Sequence, residues 1–205
     1  MKVLIPVGGK GTRLKPHTLT TPKPLISVAG RAILFHIIDR ILPYNPEEII
    51  LVIPPDGDNI YKSTVEEYPN VKVSYVIQEK PLGLGHAIRL GLEIFNDSEV
   101  FIVLGDTIID ANLKDEDFEH DFIGLKEVDD PSRYGVAVLD NNGFIVKVVE
   151  KPSHFISNLA ISGIYFFKDS KLLKEALDYI IKNDIKTKGE YQLTDAIQHM
   201  LSRGF

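Results

Sequence analysis

A glycine-rich stretch with two cations follows the first apolar run of the chain. Residues 8–13 are Gly-Gly-Lys-Gly-Thr-Arg, directly after the apolar segment Lys2 to Val7. Three glycines let a backbone turn sharply and direct several N–H groups at one anion, and Lys10 and Arg13 add charge for a polyphosphate. The spacing fits neither a Walker A loop nor the dinucleotide fingerprint. The stretch indicates a phosphate-binding loop, and the alternative is a flexible loop at a strand end.

A lysine between two prolines continues the same segment. Residues 22–24 are Pro-Lys-Pro. Proline on both sides restricts the backbone of Lys23, so its cation is held in place at low entropic cost. The motif predicts a fixed cation for a phosphate, and the alternative is a rigid turn with a solvated lysine.

A glutamine followed by glycines offers a site for a flat base. Residues 78–87 are Gln-Glu-Lys-Pro-Leu-Gly-Leu-Gly-His-Ala. The amide of Gln78 has an acceptor and donors that match the O4/N3–H edge of uracil or thymine, and glycines let a base lie against bare backbone. The alternative is a loop whose glycines cap a helix.

Three carboxylates occupy positions where ligands bind in α/β proteins. Asp106 closes an apolar run, and open α/β sheets bind ligands beyond the carboxyl ends of their strands. An aspartate there suits Mg²⁺ with substrate phosphates, or caps the next turn. Glu150 precedes Lys151, which pairs an acceptor for sugar hydroxyls with a cation for phosphate, or makes a surface ion pair. Asp195 ends the motif at residues 189–195 that opens the last predicted helix, where the helix dipole alone favours a carboxylate.

These residues need elements that position them, and strands alternate with helices from the first residue onwards. Strands are predicted at Lys2 to Val7, Glu48 to Ile53, Val71 to Ile77 and Val100 to Leu104, and helices at Arg31 to Leu42, Asp56 to Tyr68 and Leu84 to Phe95. This rhythm predicts an α/β fold with a mostly parallel sheet covered by helices on both faces. Later strands are predicted at 122–128, 135–139, 144–149 and 159–167, helices at 171–182 and 190–202, and a solvated helix or loop at 110–121.

Composition excludes several classes of function. The 205 residues include no cysteine, which rules out a disulfide scaffold, a Cys-zinc site and a thiol nucleophile and fits a reducing compartment. A net charge of −6 argues against non-specific binding to nucleic acid or anionic membranes, and no apolar run is long enough for a membrane span. The sequence begins without a basic-then-apolar leader. We therefore expect a soluble, cytoplasmic, globular protein.

The order of the motifs resembles the sugar-1-phosphate nucleotidyltransferases, and within them the glucose-1-phosphate thymidylyl- and uridylyltransferases. The resemblance extends from residue 2 to about residue 199, and it rests on residues 8–14, 22–24, 78, 83–87, 105–106, 134–135, 150–152 and 162–165. It implies a Rossmann-like, mostly parallel mixed sheet of the nucleotide-diphospho-sugar transferase type. It also implies Mg²⁺ dependence and the reaction of an NTP (dTTP or UTP) with a sugar 1-phosphate, here glucose 1-phosphate, to give an NDP-sugar and pyrophosphate.

The resemblance implies a role for each matching residue. The loop around the triphosphate corresponds to Gly8, Gly9, Gly11 and Thr12. The catalytic residues correspond to Arg13, Lys23 and Asp106, and the base readers to Gln78 and Gly83. The sugar 1-phosphate pocket corresponds to Tyr134, Gly135, Glu150, Lys151 and Asn158, and the metal ligands to Asp106 and Asp195.

The sequence departs from the family pattern in two places. Thr107 stands where thymidylyltransferases commonly have asparagine, so the choice between dTTP and UTP and the choice of sugar stay open. Family members also continue past the last helix with further strands. We therefore expect residues 1–205 to form a single domain without those strands, with a nucleotide-binding half to about residue 110 and a sugar-phosphate half after it. The resemblance leaves room for a homo-oligomer.

Two other functions compete with this interpretation. A metal-dependent glycosyltransferase of similar fold predicts an Asp-x-Asp motif after the fourth strand, where this chain has Asp106-Thr107-Ile108. A non-catalytic nucleotide-sugar-binding subunit predicts the loss of Arg13, Lys23 or Asp106, and all three are present.

Overall fold

An eight-stranded mixed sheet forms the centre of the fold in this computed structural model, which describes residues 1–9, 21–95 and 98–205. Its strands are β1 (Lys2–Pro6), β4 (Glu48–Ile53), β5 (Val73–Ile77), β6 (Val100–Val103), β7 (Phe122–Glu127), β8 (Gly135–Leu139), β9 (Ile145–Glu150) and β10 (Leu159–Phe167). A separate two-stranded hairpin consists of β2 (Ser27–Val28) and β3 (Arg31–Ala32). The helices are α1 (Ile33–Ile41), α2 (Asp58–Glu67), α3 (Leu84–Gly91), α4 (Ser170–Lys182) and α5 (Leu193–Ser202).

The sheet is parallel in its first half and antiparallel in its second. Strands β5, β4, β1 and β6 lie side by side in that order, and each pairs with its neighbours in parallel. Strand β10 then pairs antiparallel with β6, β7 and β8, and β9 forms the edge beyond β8. The predicted mixed sheet is confirmed, and the parallel half places the ends of four strands along one edge.

Helices cover both faces of the sheet, as predicted, because alternate residues of each strand face opposite sides. In β1, Val3 and Ile5 pack in one cluster with Leu34 of α1, while Leu4 packs in the other with Ile88 of α3. All five side chains are fully buried, and each contributes roughly 1.5–3 kcal/mol by leaving water. Of the helices in the described part of the chain, none combines the length and the apolar character that crossing a membrane needs.

The acidic segment after β6 packs one aromatic side chain against the sheet. We predicted a solvated helix or loop for 110–121, and the structure has a short 3-10 helix at Asp115–Glu119 whose acidic side chains are exposed. Its Phe118 is partly buried and contacts the rings of Phe101, Phe122 and Phe166 at centroid distances of 5.1–5.8 Å. The one aromatic residue therefore anchors the segment to the sheet.

The first helix begins two residues later than predicted. Arg31 and Ala32 pair with Val28 and Ser27 in the β2–β3 hairpin, whose turn has positive φ at Ala29 (51°) and Gly30 (82°). The guanidinium of Arg31 reaches Asp39 of α1 at 2.7 Å and Glu67 of α2 at 2.6 Å. The contact with Glu67 joins segments 36 residues apart, so the apolar spacing that predicted the helix did not reveal it.

Candidate active site

The carboxyl ends of three parallel strands meet at one cavity of about 500 Å³. Gly8 and Gly9 follow β1, Gln78 follows β5 and Asp106 follows β6, and all four line the cavity. The structure therefore brings these residues together, since parallel strands bring their carboxyl ends to the same edge. A second recess of about 600 Å³ shares Lys23 and Gln78 with the first.

The cavity floor requires a glycine where two strand ends approach each other. The N–H of Gly105 donates to the carbonyl oxygen of Pro6 at 3.2 Å. A Cβ atom placed on Gly105 would lie 2.7 Å from that oxygen and 2.8 Å from a side-chain carbon of Val7. The missing side chain lets β6 end against β1, and the next residue, Asp106, is thereby held at the cavity.

Lys23 and Asp106 form an ion pair at the cavity wall. Lys23 begins a 3-10 turn at Lys23–Leu25, and its Nζ lies 2.5 Å from Oδ2 of Asp106. The neighbouring Pro24 is buried, so the lysine backbone is anchored as the Pro-Lys-Pro motif predicted. The Asp106 side chain is 52% exposed, and a pair this exposed contributes at most about 1 kcal/mol. The lysine can therefore exchange its carboxylate partner for a phosphate at small cost.

Gln78 lies in the cavity wall with its amide held by protein groups. The residue is buried, and its Nε2 lies 3.2 Å from the carbonyl oxygen of Gly83 and 3.0 Å from Nδ1 of His86. A Cβ atom placed on Gly8 would lie 3.3 Å from the other end of the amide, Oε1. The predicted base reader therefore shares one wall with the glycine loop.

Gly83 has a backbone conformation and surroundings that only glycine fits. Its φ is 119°, and a Cβ atom there would lie 2.5 Å from the carbonyl oxygen of Tyr191. Tyr191 precedes α5, donates its N–H to Leu82 and accepts from the N–H of Gly85. The segment before α5 therefore clamps the start of α3 against the cavity.

We expect Gly83→Ala to lower the free energy of unfolding by at least about 2 kcal/mol, through the left-handed backbone and the clash with Tyr191. Urea denaturation measures this loss. Gly143→Ala is the matched control, because Gly143 has φ 87° but nothing within 4 Å of its added Cβ. Equal losses in the two variants would show that the close approach to Tyr191 contributes nothing.

Four predicted sugar-phosphate residues lie together where β8 begins and β9 ends. Gly135 and Glu150 are register partners, and the N–H of Lys151 donates to the carbonyl oxygen of Tyr134 at 2.9 Å. Oε1 of Glu150 lies 3.1 Å from the Lys151 ammonium, and Oε2 accepts from the Thr194 hydroxyl at 2.9 Å. The cluster is thus joined to α5, which carries Asp195.

Asp195 has one satisfied oxygen and one orphaned oxygen. Its Oδ1 accepts from the Thr187 hydroxyl at 2.9 Å, whereas Oδ2 is buried without a hydrogen-bond partner among the described residues. Burial raises the pKa of Asp195, and the nearby Glu150 carboxylate raises it further, against the lowering effect of the Thr187 bond. A buried carboxylate oxygen with no donor is a position that a cation would satisfy.

Asp106 and Asp195 each have a carboxylate oxygen that a magnesium ion could bind. Among the described residues no group of three or more His, Cys, Asp or Glu side chains could hold a metal. Magnesium needs only one or two carboxylates when substrate oxygens and water supply the rest. Asp106 is accessible at the cavity and Asp195 has the orphaned oxygen, so both are suitable ligands.

Among the remaining predicted residues, the structure describes Asn158. Gly11, Thr12 and Arg13 lie outside the described residues. Asn158 is exposed just before β10, and its carbonyl oxygen accepts from the N–H of Val128. Among the described residues no hydrogen bond joins Asn158 to Tyr134, Glu150 or Lys151.

Sequence reasoning missed three residues of the site. Thr194 holds Glu150, Glu190 lines the cavity, and His86 contacts Gln78. Thr194 and Glu190 belong to the motif around Asp195, and His86 to the motif around Gln78, so their proximity in sequence was a usable signal. The Thr194 contact also depends on how α5 packs against β9.

The chain is similar in sequence to known nucleotidyltransferases. The family model described as "Nucleotidyl transferase" matches residues 2–204. A glucose-1-phosphate thymidylyltransferase of Streptomyces antibioticus is 33% identical over 214 residues, which cover 100% of this chain and 58% of that protein. A UTP–glucose-1-phosphate uridylyltransferase of Haloferax volcanii is 33% identical over 212 residues, covering 100% and 85%.

The fold is also similar to a solved structure. A putative glucose-1-phosphate thymidylyltransferase from Bacillus anthracis, in complex with a sucrose, superposes with a TM-score of 0.83 at 28% identity, covering 100% of this chain and 84% of that one. The chain thus spans most of that structure but only 58% of the Streptomyces antibioticus relative.

Proposed function

Since the chain belongs to the nucleotidyl transferase family, we propose that it transfers the nucleotidyl group of an NTP to a sugar 1-phosphate, which gives an NDP-sugar and pyrophosphate. The proposed NTP is UTP or dTTP. Glucose 1-phosphate is the proposed sugar substrate, because similar proteins are named for it. The cysteine-free composition suits a reducing compartment, and we place the activity in the cytoplasm.

One observation carries the proposal. The Lys23–Asp106 pair lies at a cavity that also has two glycines of the loop, the Gln78 amide and Gly83 in its walls. A cation that can exchange to phosphate, a carboxylate suited to a metal and an amide suited to a base edge are the groups that an NTP needs. The sugar-phosphate cluster of Tyr134, Gly135, Glu150 and Lys151 is linked to the same region through α5.

The reaction requires positioning and charge neutralisation more than covalent work. An oxygen of the sugar phosphate forms a bond to the α-phosphorus, and the bond from that phosphorus to the β-phosphate oxygen breaks to release pyrophosphate. Arg13, Lys23 and Lys151 would bring two anions together although the chain has a net charge of −6, because the cations are local. A Mg²⁺ ion held by Asp106 and Asp195 would add charge neutralisation at the phosphates.

The direct test is a pyrophosphate-release screen of the purified chain with Mg²⁺. UTP, dTTP, GTP, ATP and CTP are each combined with several sugar 1-phosphates. Release that requires both an NTP and a sugar 1-phosphate supports the proposal. Transfer from a nucleotide sugar to an acceptor indicates the glycosyltransferase, and binding without turnover indicates the non-catalytic subunit. Sedimentation of the same sample tests for the homo-oligomer.

We expect the same screen to show a preference for pyrimidines. UTP and dTTP should exceed GTP and ATP in kcat/KM by at least about 10-fold, because a site with base-edge hydrogen bonds leaves its own polar groups unpaired with a mismatched edge. Preference for a purine nucleotide would contradict the assignment of Gln78 and Gly83 as base readers.

A further inference from the structure

The orientation of the Gln78 amide is set by the carbonyl group of Gly83. That oxygen accepts the Ala87 N–H at 3.1 Å, a bond at the start of α3, and it lies 3.2 Å from the Gln78 amide. A backbone carbonyl can only accept hydrogen bonds, so the end of the Gln78 amide that faces it must be the NH₂ group. The backbone at the start of α3 therefore fixes the orientation of the Gln78 amide.

His86 occupies the second N–H of the same amide. Its Nδ1 lies 3.0 Å from Nε2 of Gln78, and a ring nitrogen that faces an N–H donor must be the unprotonated acceptor. His86 is therefore neutral here and carries its proton on Nε2. Burial lowers the pKa of His86, which favours the same neutral form.

With both N–H groups engaged, the carbonyl oxygen is what Gln78 can offer a ligand. Oε1 lies on the Gly8 side of the amide, 3.3 Å from where a Cβ on Gly8 would be, and both residues line the cavity. We expected the Gln78 amide to donate to O4 of the base as well as to accept from N3–H, but with both N–H groups engaged it presents an acceptor only.

We propose that His86 is a positioning residue that makes Gln78 an acceptor-only base reader, so that the site selects uracil or thymine over cytosine. This inference rests on the proposed function. Uracil and thymine carry an N–H at N3 that can donate to Oε1. Cytosine in the same position would place its unprotonated N3 against Oε1, so two acceptors would face each other. Cytosine is the size-matched wrong base, so its rejection reports on hydrogen bonding and not on the space in the cavity.

Replacing His86 with a residue that lacks an acceptor should free one N–H of the Gln78 amide to donate to cytosine. The freed N–H of Gln78 could donate to cytosine N3 while Oε1 accepts from its amino group. His86→Phe keeps a ring of similar size without an acceptor. His86→Asn keeps an acceptor, because its Oδ1 is as many bonds from the backbone as Nδ1 of histidine.

The experiment compares kcat/KM for UTP and CTP, with one sugar 1-phosphate, in the wild type and both variants. We expect the wild type to favour UTP by at least about 10-fold. The UTP/CTP ratio should fall several-fold in His86→Phe and stay near the wild-type ratio in His86→Asn. An unchanged ratio in soluble His86→Phe, or equal losses in both variants, overturns the proposal.

A second measurement needs neither activity nor a folded variant. Nitrogen-15 NMR of the wild-type chain identifies which ring nitrogen of His86 is protonated, and a protonated Nδ1 overturns the proposal. If the wild type releases pyrophosphate from UTP and CTP equally, the proposed function stands and the inference fails. If it uses no NTP at all, the proposed function fails, and the tautomer still decides whether His86 holds Gln78.

Discussion

Asp106→Asn is expected to lower the rate of pyrophosphate release by about 10²-fold or more, the range found when a group that stabilises transition-state charge is removed. The asparagine is nearly isosteric but uncharged, so it neither pairs with the Lys23 ammonium nor offers Mg²⁺ a charged oxygen. Steady-state kinetics at saturating substrates and varied Mg²⁺ measures the effect. Asp115→Asn is the matched control, because Asp115 is exposed on the 3-10 helix after β6.

The double variant tests whether Asp106 and Asp195 act as one unit. Asp195→Asn alone should also abolish most of the activity, and the double variant should be little worse than either single variant, since losses within one unit are not additive. If the fold-loss of the double variant equals the product of the two single-variant losses, the two carboxylates act independently. Asp195 would then be a structural partner of Thr187.

Arg13→Ala should lower kcat by about 10²-fold while the KM for the nucleotide changes much less. The physical reason is that a cation beside the reacting α-phosphate is needed most when charge shifts there, so its loss affects the transition state more than the bound substrate. This prediction rests on the sequence motif, because Arg13 lies outside the described residues.

Initial-rate kinetics over a range of NTP concentrations separates the two parameters. Arg40→Ala, at an exposed position of α1, is the control for the loss of one positive charge. If Arg13→Ala leaves kcat unchanged and raises only the KM for the NTP, Arg13 binds the nucleotide in the ground state and does not stabilise the transition state.

The predicted fold was most accurate where the physical signal is local. Strands β1, β4 and β6 are buried on both faces, so each is a continuous apolar run, and each was located to within one residue. The predicted start of α1 was wrong because Arg31 and Ala32 pair in the β2–β3 hairpin, where Arg31 also reaches Glu67 of α2. The role of Phe118 was missed because its partners lie on other strands. The contacts of Arg31 with Glu67 and of Phe118 with the strands join distant segments.

The sequence alone placed the candidate groups of the cavity, because glycines, Gln78 and Asp106 each follow an apolar run and parallel strands end at one edge. Only the tertiary structure decided how those groups are used. The Lys23–Asp106 pair, the Glu150–Thr194 bond and the direction of the Gly83 carbonyl are set by how separate elements pack. Residue types supply donors and acceptors, but which donor meets which acceptor depends on backbone directions that the whole fold determines.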